Sequence, residues 1–516
     1  MTTMMGCKSL TVHKNKLFRQ TLLWQALLLS GLLSQSLYAE TTTSERQTLQ
    51  QSVARLFTPQ SDQNFTRVRI SELSQFQLDT QNIQEMPRAV PASSVSETAA
   101  SARSSVQQPL SFNDTIRTAV QRHPEISQAI STLAAQNASI DVAKSGYYPQ
   151  LSGGISTADL TKGERGRQLL SLNATQMLYD FGKVKSSVNL EQARLAAEQA
   201  NVLVSIDDIA YQTANAMINI KRYQEITRIA EEQIQGIARI AEITNLRAEA
   251  GISTQADPIQ ARSNLEAAEA NLIVQQTQLR QFQQKLRTLV GFEVHQRNWQ
   301  IPERLVKEAQ LYSEPVFQQI PGLIAAQAEV EVAKLRKQQS RLSAYPTLNV
   351  KGSISQAING RNPNNNEDDG LYNSIMLEAN SNFYQGGAIA SQTRAASYAE
   401  EAAKARVNSV YLEVLDETRM LREEIQNKQR QMNILVKRQA TTIQTKELYQ
   451  EQYKLGTRSA VDLLNAEQAI HSAAQEIENT RFDIYAAIAR YISITGRTRD
   501  IYDLNHISIQ GFEVQP

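Results

Sequence analysis

Few side chains in this sequence are spaced for chemistry. The five histidines, His13, His123, His295, His471 and His506, are scattered, with no His-Glu-x-x-His or comparable metal-ligand spacing. There is no Gly-x-Ser-x-Gly element and no phosphate-binding glycine loop. His123 stands directly before Pro124 and reads as a helix-start residue rather than a ligand. No catalytic constellation, metal or cofactor is therefore expected, and any work done must draw its energy from a partner. What remains is hydrogen-bond and charge chemistry at two turns. Thr254-x-x-Asp257 and Ser459-x-x-Asp462 read as capping boxes with Asp in place of Glu, each starting a return helix. Gly251 and Gly456 stand just before them, where glycine commonly ends a helix.

The elements that end at these glycines are long. From Gly182 to Gly251 no proline occurs, and Gly236 is the only interior glycine. Good helix formers dominate, and Leu203, Ile206, Ala210, Ala214 and Met217 step by three and four, the spacing of a coiled-coil seam. A helix of roughly 70 residues would run about 105 Å, too long for a globular core and suited to a rod packed on other rods. Gly387 to Gly456 has the same length and texture.

The two rods belong to an internal repeat. Pro124 and Pro149 recur as Pro321 and Pro346 at one constant offset. A slightly larger constant offset then relates Tyr179 to Tyr384, Gly182 to Gly387, Gly251 to Gly456, Asp257 to Asp462 and Gly291 to Gly496. Each copy reads as helix, two strands, very long helix, turn and shorter helix. In the strands the period changes to two. Leu170, Leu172, Ala174 and Leu178 alternate with polar residues, as do Leu348, Val350, Gly352 and Ile354, and Leu371, Ile375, Leu377 and Ala379. The strand from Leu151 to Thr157 is weaker because of Gly153 and Gly154. Two-faced strands of about ten residues suit a membrane barrel. Tyr147, Tyr148, Tyr179, Phe181, Tyr345, Phe383 and Tyr384 fall at the strand–helix junctions, where they would form an interfacial girdle against lipid. Four strands cannot close a barrel, and lipid does not tolerate open sheet edges, so closure must come from several chains. Three copies would give twelve strands, an even number within the known range, although two or four copies stay open at this level. The expected class is mainly α with a β-barrel part: duplicated coiled-coil helices continuing four membrane strands per chain as a helical tube.

Composition agrees with this reading. Of 516 residues, 20% are charged and 6% aromatic, and the net charge is +1, which leaves no footprint for nucleic acid. Residues 1–39 read as a signal peptide, with Lys8, Lys14, Lys16 and Arg19 before an apolar run from Leu22 to Leu33 that is too short to span a bilayer. The only cysteine, Cys7, precedes that run and cannot be a lipoprotein anchor. Residues 40–109 read as a flexible polar segment, 110–300 as the first repeat, 301–500 as the second and 501–516 as a C-terminal tail.

From about Leu110 to Gly496 the chain resembles the TolC family of bacterial outer-membrane export ducts. The carrying residues are Tyr179-Asp180-Phe181-Gly182, the turns from Gly251 to Asp257 and from Gly456 to Asp462, the Tyr-Pro junctions and above all their doubled order. The resemblance implies a homotrimer with a twelve-stranded barrel and a periplasmic α-helical barrel. It also implies a periplasmic adaptor (a membrane fusion protein) and an inner-membrane pump, of ABC or another type. The Tyr-Asp-Phe-Gly form and the missing anchor cysteine look more like ducts of type I protein secretion, with multidrug efflux as the alternative. A coiled-coil scaffold of the cell envelope would not need amphipathic hairpins at matched places, and an adaptor would show one hairpin flanked by β-domains. In the family a Tyr and an Arg near the second turn bond an acidic residue of the first, and acidic residues narrow the lumen. Matched by position, these are Tyr453, Arg458, Asp257 and Asp462, with Asn465 where the family carries a second Asp. The local alternative is that both aspartates only cap helices.

Overall fold

A computed structural model describes residues 111–158, 167–291, 299–359, 362, 364, 365, 367, 370–382 and 384–514. The signal peptide, the polar segment up to residue 109 and Phe383 lie outside the described residues.

Helix α1 (Phe112–Arg122) opens with a capping box between Ser111 and Asp114. His123 ends α1 and starts α2 (Pro124–Lys144), its ring accepting the Glu125 amide at 3.4 Å, as its position before a proline implied. Strands β1 (Gln150–Ala158) and β2 (Arg167–Tyr179) follow, then α3 (Lys183–Glu249) and α4 (Ala256–Val290). The short α5 (Arg304–Glu308) leads to the second series: α6 (Pro321–Leu342), β3 (Thr347–Asn359), β4 (Leu371–Asn380), α7 (Ala388–Lys454) and α8 (Ala460–Ile494). Both α3 and α7 have 67 residues, about 100 Å of helix, and both α4 and α8 have 35.

The four strands form one antiparallel sheet in the order β1-β2-β3-β4. Its register separates two faces. Ser152, Asn173, Ser353 and Ser374 lie in one cross-strand row, and the last two share a hydroxyl bond of 2.7 Å. The adjacent row on the other face is Leu151, Ala174, Gly352 and Ile375. That second face is bare: Ile375 is 85% exposed, and Leu151, Ile155, Leu172 and Leu377 are exposed with it. A sheet face of bare aliphatic side chains is at home in lipid and not in water.

At the β2–α3 corner the Asp180 carboxylate accepts the amides of Gly182 at 2.9 Å and Val184 at 2.6 Å, supplying acceptors to the start of the rod. The Tyr-Asp-Phe-Gly run is thus a helix-start device. Phe181 stacks on Tyr345 at 5.4 Å and meets Tyr179 edge-on at 4.8 Å, tying the two strand–helix junctions together. Tyr147, Tyr179, Phe181, Tyr345 and Tyr384 are exposed and Tyr148 is half-buried.

The main core joins α1, α2, the middle of α3 and the end of α8. Here the reading of residues 501–516 as a tail needs correction. The chain continues through α9 (Thr498–Ile501) into a small hairpin of β5 (Ser508–Ile509) and β6 (Phe512–Glu513), and Tyr502, Leu504, Ile509 and Val514 are fully buried in that core. Asn113 of α1 bonds Asp503 at 2.8 Å, fastening the C-terminal segment to the first helix. The apolar spacing is too short and irregular to show as a period, which is why composition alone suggested a tail.

Candidate functional site

The two rods stop in the same way. At the end of α3 the Ile252 amide bonds the Arg247 carbonyl at 2.8 Å and the Gly251 amide bonds Ala248 at 3.0 Å. At the end of α7 the Thr457 amide bonds Gln452 and the Gly456 amide bonds Tyr453, both at 3.0 Å. These pairs are the two bonds of a Schellman motif, which places Gly251 and Gly456 in the left-handed region, at φ 72° and 75°.

The return helices start differently. Ser459 and Asp462 form the expected capping box: the Asp462 amide donates to the Ser459 hydroxyl at 3.2 Å, and the Ser459 amide donates to the Asp462 carboxylate at 3.3 Å. Bonds from Ser459, and then the nearby Arg458 charge, hold the Asp462 carboxyl below the usual carboxylate range. The Thr254–Asp257 box does not form. Gln255 already has helical angles and makes no side-chain cap, so α4 begins one residue later than the box requires. Asp257 then occupies the second helical position, where it faces the positive helix end without the reciprocal bond.

Tyr453 is 5% exposed, in a small tip core with Ile237 and Ile240 of α3, Ala261 and Ala268 of α4, and Leu463 and Leu464 of α8. Arg247, which the sequence did not single out, lays its guanidinium 4.8 Å from the centre of the Tyr453 ring. Burial pushes the phenol pKa up; Arg247 pulls it down, and Asp257 raises it from across the gap between the turns. The hydroxyl itself has no hydrogen-bond partner among the described residues.

Arg458 does not reach Asp257 within the chain. It donates to the Gln452 side chain at 3.0 Å, lies 3.7 Å from Asp462 and sits 4.5 Å over the Tyr449 ring. The bond that the resemblance implied from Tyr453 and Arg458 to Asp257 is therefore absent inside one chain, because the second turn satisfies its own arginine. Asp462 and Asn465 open on one groove of about 580 Å³ between α7 and α8, shared with Arg438, Thr441 and Tyr449. Among the described residues no group of three His, Cys, Asp or Glu could hold a metal ion, and no helix is long and apolar enough to cross a membrane.

Comparison with known proteins agrees with this geometry. The family described as outer membrane efflux protein matches residues 115–292 and 316–497, one block for each series of elements. The outer membrane protein TolC of Vibrio cholerae is 23% identical over 403 residues, 73% of this chain and 90% of that protein. The alkaline protease secretion protein AprF of Pseudomonas aeruginosa is 20% identical over 337 residues, 60% of this chain and 69% of that protein. The crystal structure of the outer membrane protein VceC of Vibrio cholerae superposes with a TM-score of 0.65 at 19% identity, covering 75% of this chain and 96% of that one. With both halves of its duplicated rod-and-sheet fold matched, the chain belongs to the outer membrane efflux protein family: export ducts of the outer membrane with a periplasmic extension, and not enzymes.

Proposed function

We propose that this chain is the outer-membrane channel of a tripartite machine for type I protein secretion, working as a homotrimer with a periplasmic adaptor and an inner-membrane ABC pump. The observation that carries the reading is the sheet. Its outer strands β1 and β4 are paired on one side only, while one face is aliphatic and bare. Lipid penalises such edges, and three copies placed edge to edge would close a twelve-stranded barrel. The pairs of rods below it would then continue as a tube whose far end is the two turns. The Tyr179-Asp180-Phe181-Gly182 corner, the absence of a cysteine after the apolar leader and the similarity to a protein named for protease secretion favour protein export over drug efflux.

A tube open to the periplasm would leak, so the turns also serve as its gate. Among the described residues the Asp257 carboxylate has no hydrogen-bond or ion-pair partner, which leaves it available to Arg458 of a neighbouring copy, whose side chain is exposed. Asp462 would narrow the lumen, and Asn465 makes the second ring neutral. The experiment is cysteine crosslinking in cells from position 456, with the sequence's single cysteine, Cys7, replaced so that the introduced one alone reacts. Capture of a membrane fusion protein, with loss of a secreted protein from the medium on deletion of the gene, is expected. Deletion that leaves secretion intact and only sensitises cells to antibiotics would move the assignment to drug efflux.

A further inference from the structure

Gly236 is an anomaly in its helix. It interrupts a rod otherwise made of good helix formers, and a glycine in a helix interior is less stable there than alanine. The explanation lies on another helix. A Cβ built on Gly236 would stand 1.7 Å from Oε1 and 2.7 Å from Cδ of Glu467, a residue of α8 that is 2% exposed. The carboxylate therefore occupies a notch that exists only because position 236 has no side chain. Lys446 of α7 forms an ion pair with its other oxygen, and His471, one turn further along α8, meets Oε1 at 3.2 Å. Three helices thus join at one buried charge: α3 from the first hairpin, α7 and α8 from the second. The junction directly follows Leu463 and Leu464 of the tip core.

We infer that Glu467, seated in the Gly236 notch and held by Lys446, is a latch that positions the second hairpin against the first and must release when the turns move apart. The inference rests on the reading of the turns as a gate and adds residues well inside the rods to it. Its physical basis is the balance of a buried ion pair. Desolvation offsets most of the attraction between the charges, so the pair specifies a geometry more than it stabilises it. When α8 leaves α3 the Glu467 carboxylate, the buried partner of the pair, recovers its hydration. An aliphatic contact at the same place would lose burial on separating and resist it. A charge in a glycine notch is accordingly a contact that fixes the register and opposes separation little.

The test is single-channel conductance of the full chain in planar bilayers, with assembly and melting of the oligomer followed in parallel. Gly236→Ala fills the notch and is expected to raise conductance several-fold in an oligomer that still assembles. Glu467→Gln, which keeps the volume and loses the charge, should shift conductance in the same direction by less. Lys446→Arg should conduct like the parent, because the ion pair is retained. A purely structural role would lower the melting temperature and leave conductance unchanged. Parental conductance in both Gly236→Ala and Glu467→Gln would overturn the latch, and if Gly236→Ala fails to assemble, Glu467→Gln and Lys446→Gln decide it. The Arg458→Ala, Tyr453→Phe double variant separates the two ideas. If it is closed while the notch variants are open, the Arg458 and Tyr453 contacts are not what holds the turns shut and the latch is. If it is open while the notch variants are closed, the latch alone is wrong.

Discussion

The two hairpins have the same lengths and the same helix stops, yet they are held in opposite ways. Along α3, 24 residues are buried; along α7, of equal length, only six are. The first rod is the spine of the chain, covered by α1, α2, α4, α6 and α8. The second is held by its return helix, by α6 through a small cluster of Leu323 with Val407, Val410 and Val414, and by polar links such as Arg490 to Glu417 at 2.7 Å and Lys428 to Asp483 at 2.8 Å. At the turns the order reverses. The heavily buried rod ends in a turn without a side-chain cap, and the exposed rod ends in a turn closed by its own capping box and arginine contacts. A duplicated sequence has thus yielded one anchored arm with an open end and one loosely held arm with a self-contained end. That division suits a gate in which the second hairpin moves as a unit and the first serves as its seat.

The largest expected difference between the arms is in stability. Ile218 of α3 is fully buried, and Ile218→Ala should destabilise the folded chain by about 2–5 kcal/mol, the usual cost of a core cavity. Ile434 of α7 is 67% exposed, and Ile434→Ala should stay within about 0.5 kcal/mol of the parent in the dissociated chain. Denaturant unfolding in detergent measures both. If α7 is covered by a neighbouring copy, Ile434→Ala will also lower the heat resistance of the assembled oligomer, and equal heat resistance would argue against that cover.

A smaller difference is expected at the turns. Ser459→Ala removes a formed cap and should cost about 0.5–2 kcal/mol, whereas Thr254→Ala removes none and should cost little. Amide exchange in the first turns of α8 and α4 reads the two separately. Equal acceleration in both would show that the first turn is capped after all. The smallest expected effect is the response to acid. The Asp462 carboxyl is depressed in the folded chain, so its contribution is present above the ordinary aspartate value near 3.9 and is lost as pH falls through the folded value. Below about pH 4 the start of α8 should therefore lose protection relative to the intrinsic exchange rate at the same pH. A start of α8 indifferent to acid would remove Asp462 from the cap.

Much of this architecture was legible in the sequence because it is periodic. The rods, the alternating strands and the two turn glycines each repeat, and repetition is visible without a structure. The difference between the turns was not legible. Thr254-x-x-Asp257 and Ser459-x-x-Asp462 carry the same signature, and what separates them is the backbone at Gln255, which takes the cap position so that α4 begins one residue late for the box. Arg247 and Glu467 were missed for another reason. Each acts through a partner distant in the chain, Tyr453 and Gly236, and only packing of one hairpin on the other brings them together. Gly236 was visible as an exception, and an unexplained glycine in a long helix was the one available signal that another chain segment comes close there.

Whether the second turn closes the duct is read from the conductance of the Arg458→Ala, Tyr453→Phe double variant in planar bilayers. An exposed Arg–Asp contact contributes only about 0.2–1 kcal/mol, so several such contacts must act together, and removing two from every copy should be enough to favour the open form. The expected result is a several-fold higher conductance in an intact oligomer, together with greater sensitivity of cells to bulky antibiotics. Conductance equal to that of the parent, in an oligomer of normal stability, would contradict the gate and leave Asp462 and Arg458 as parts of a helix cap.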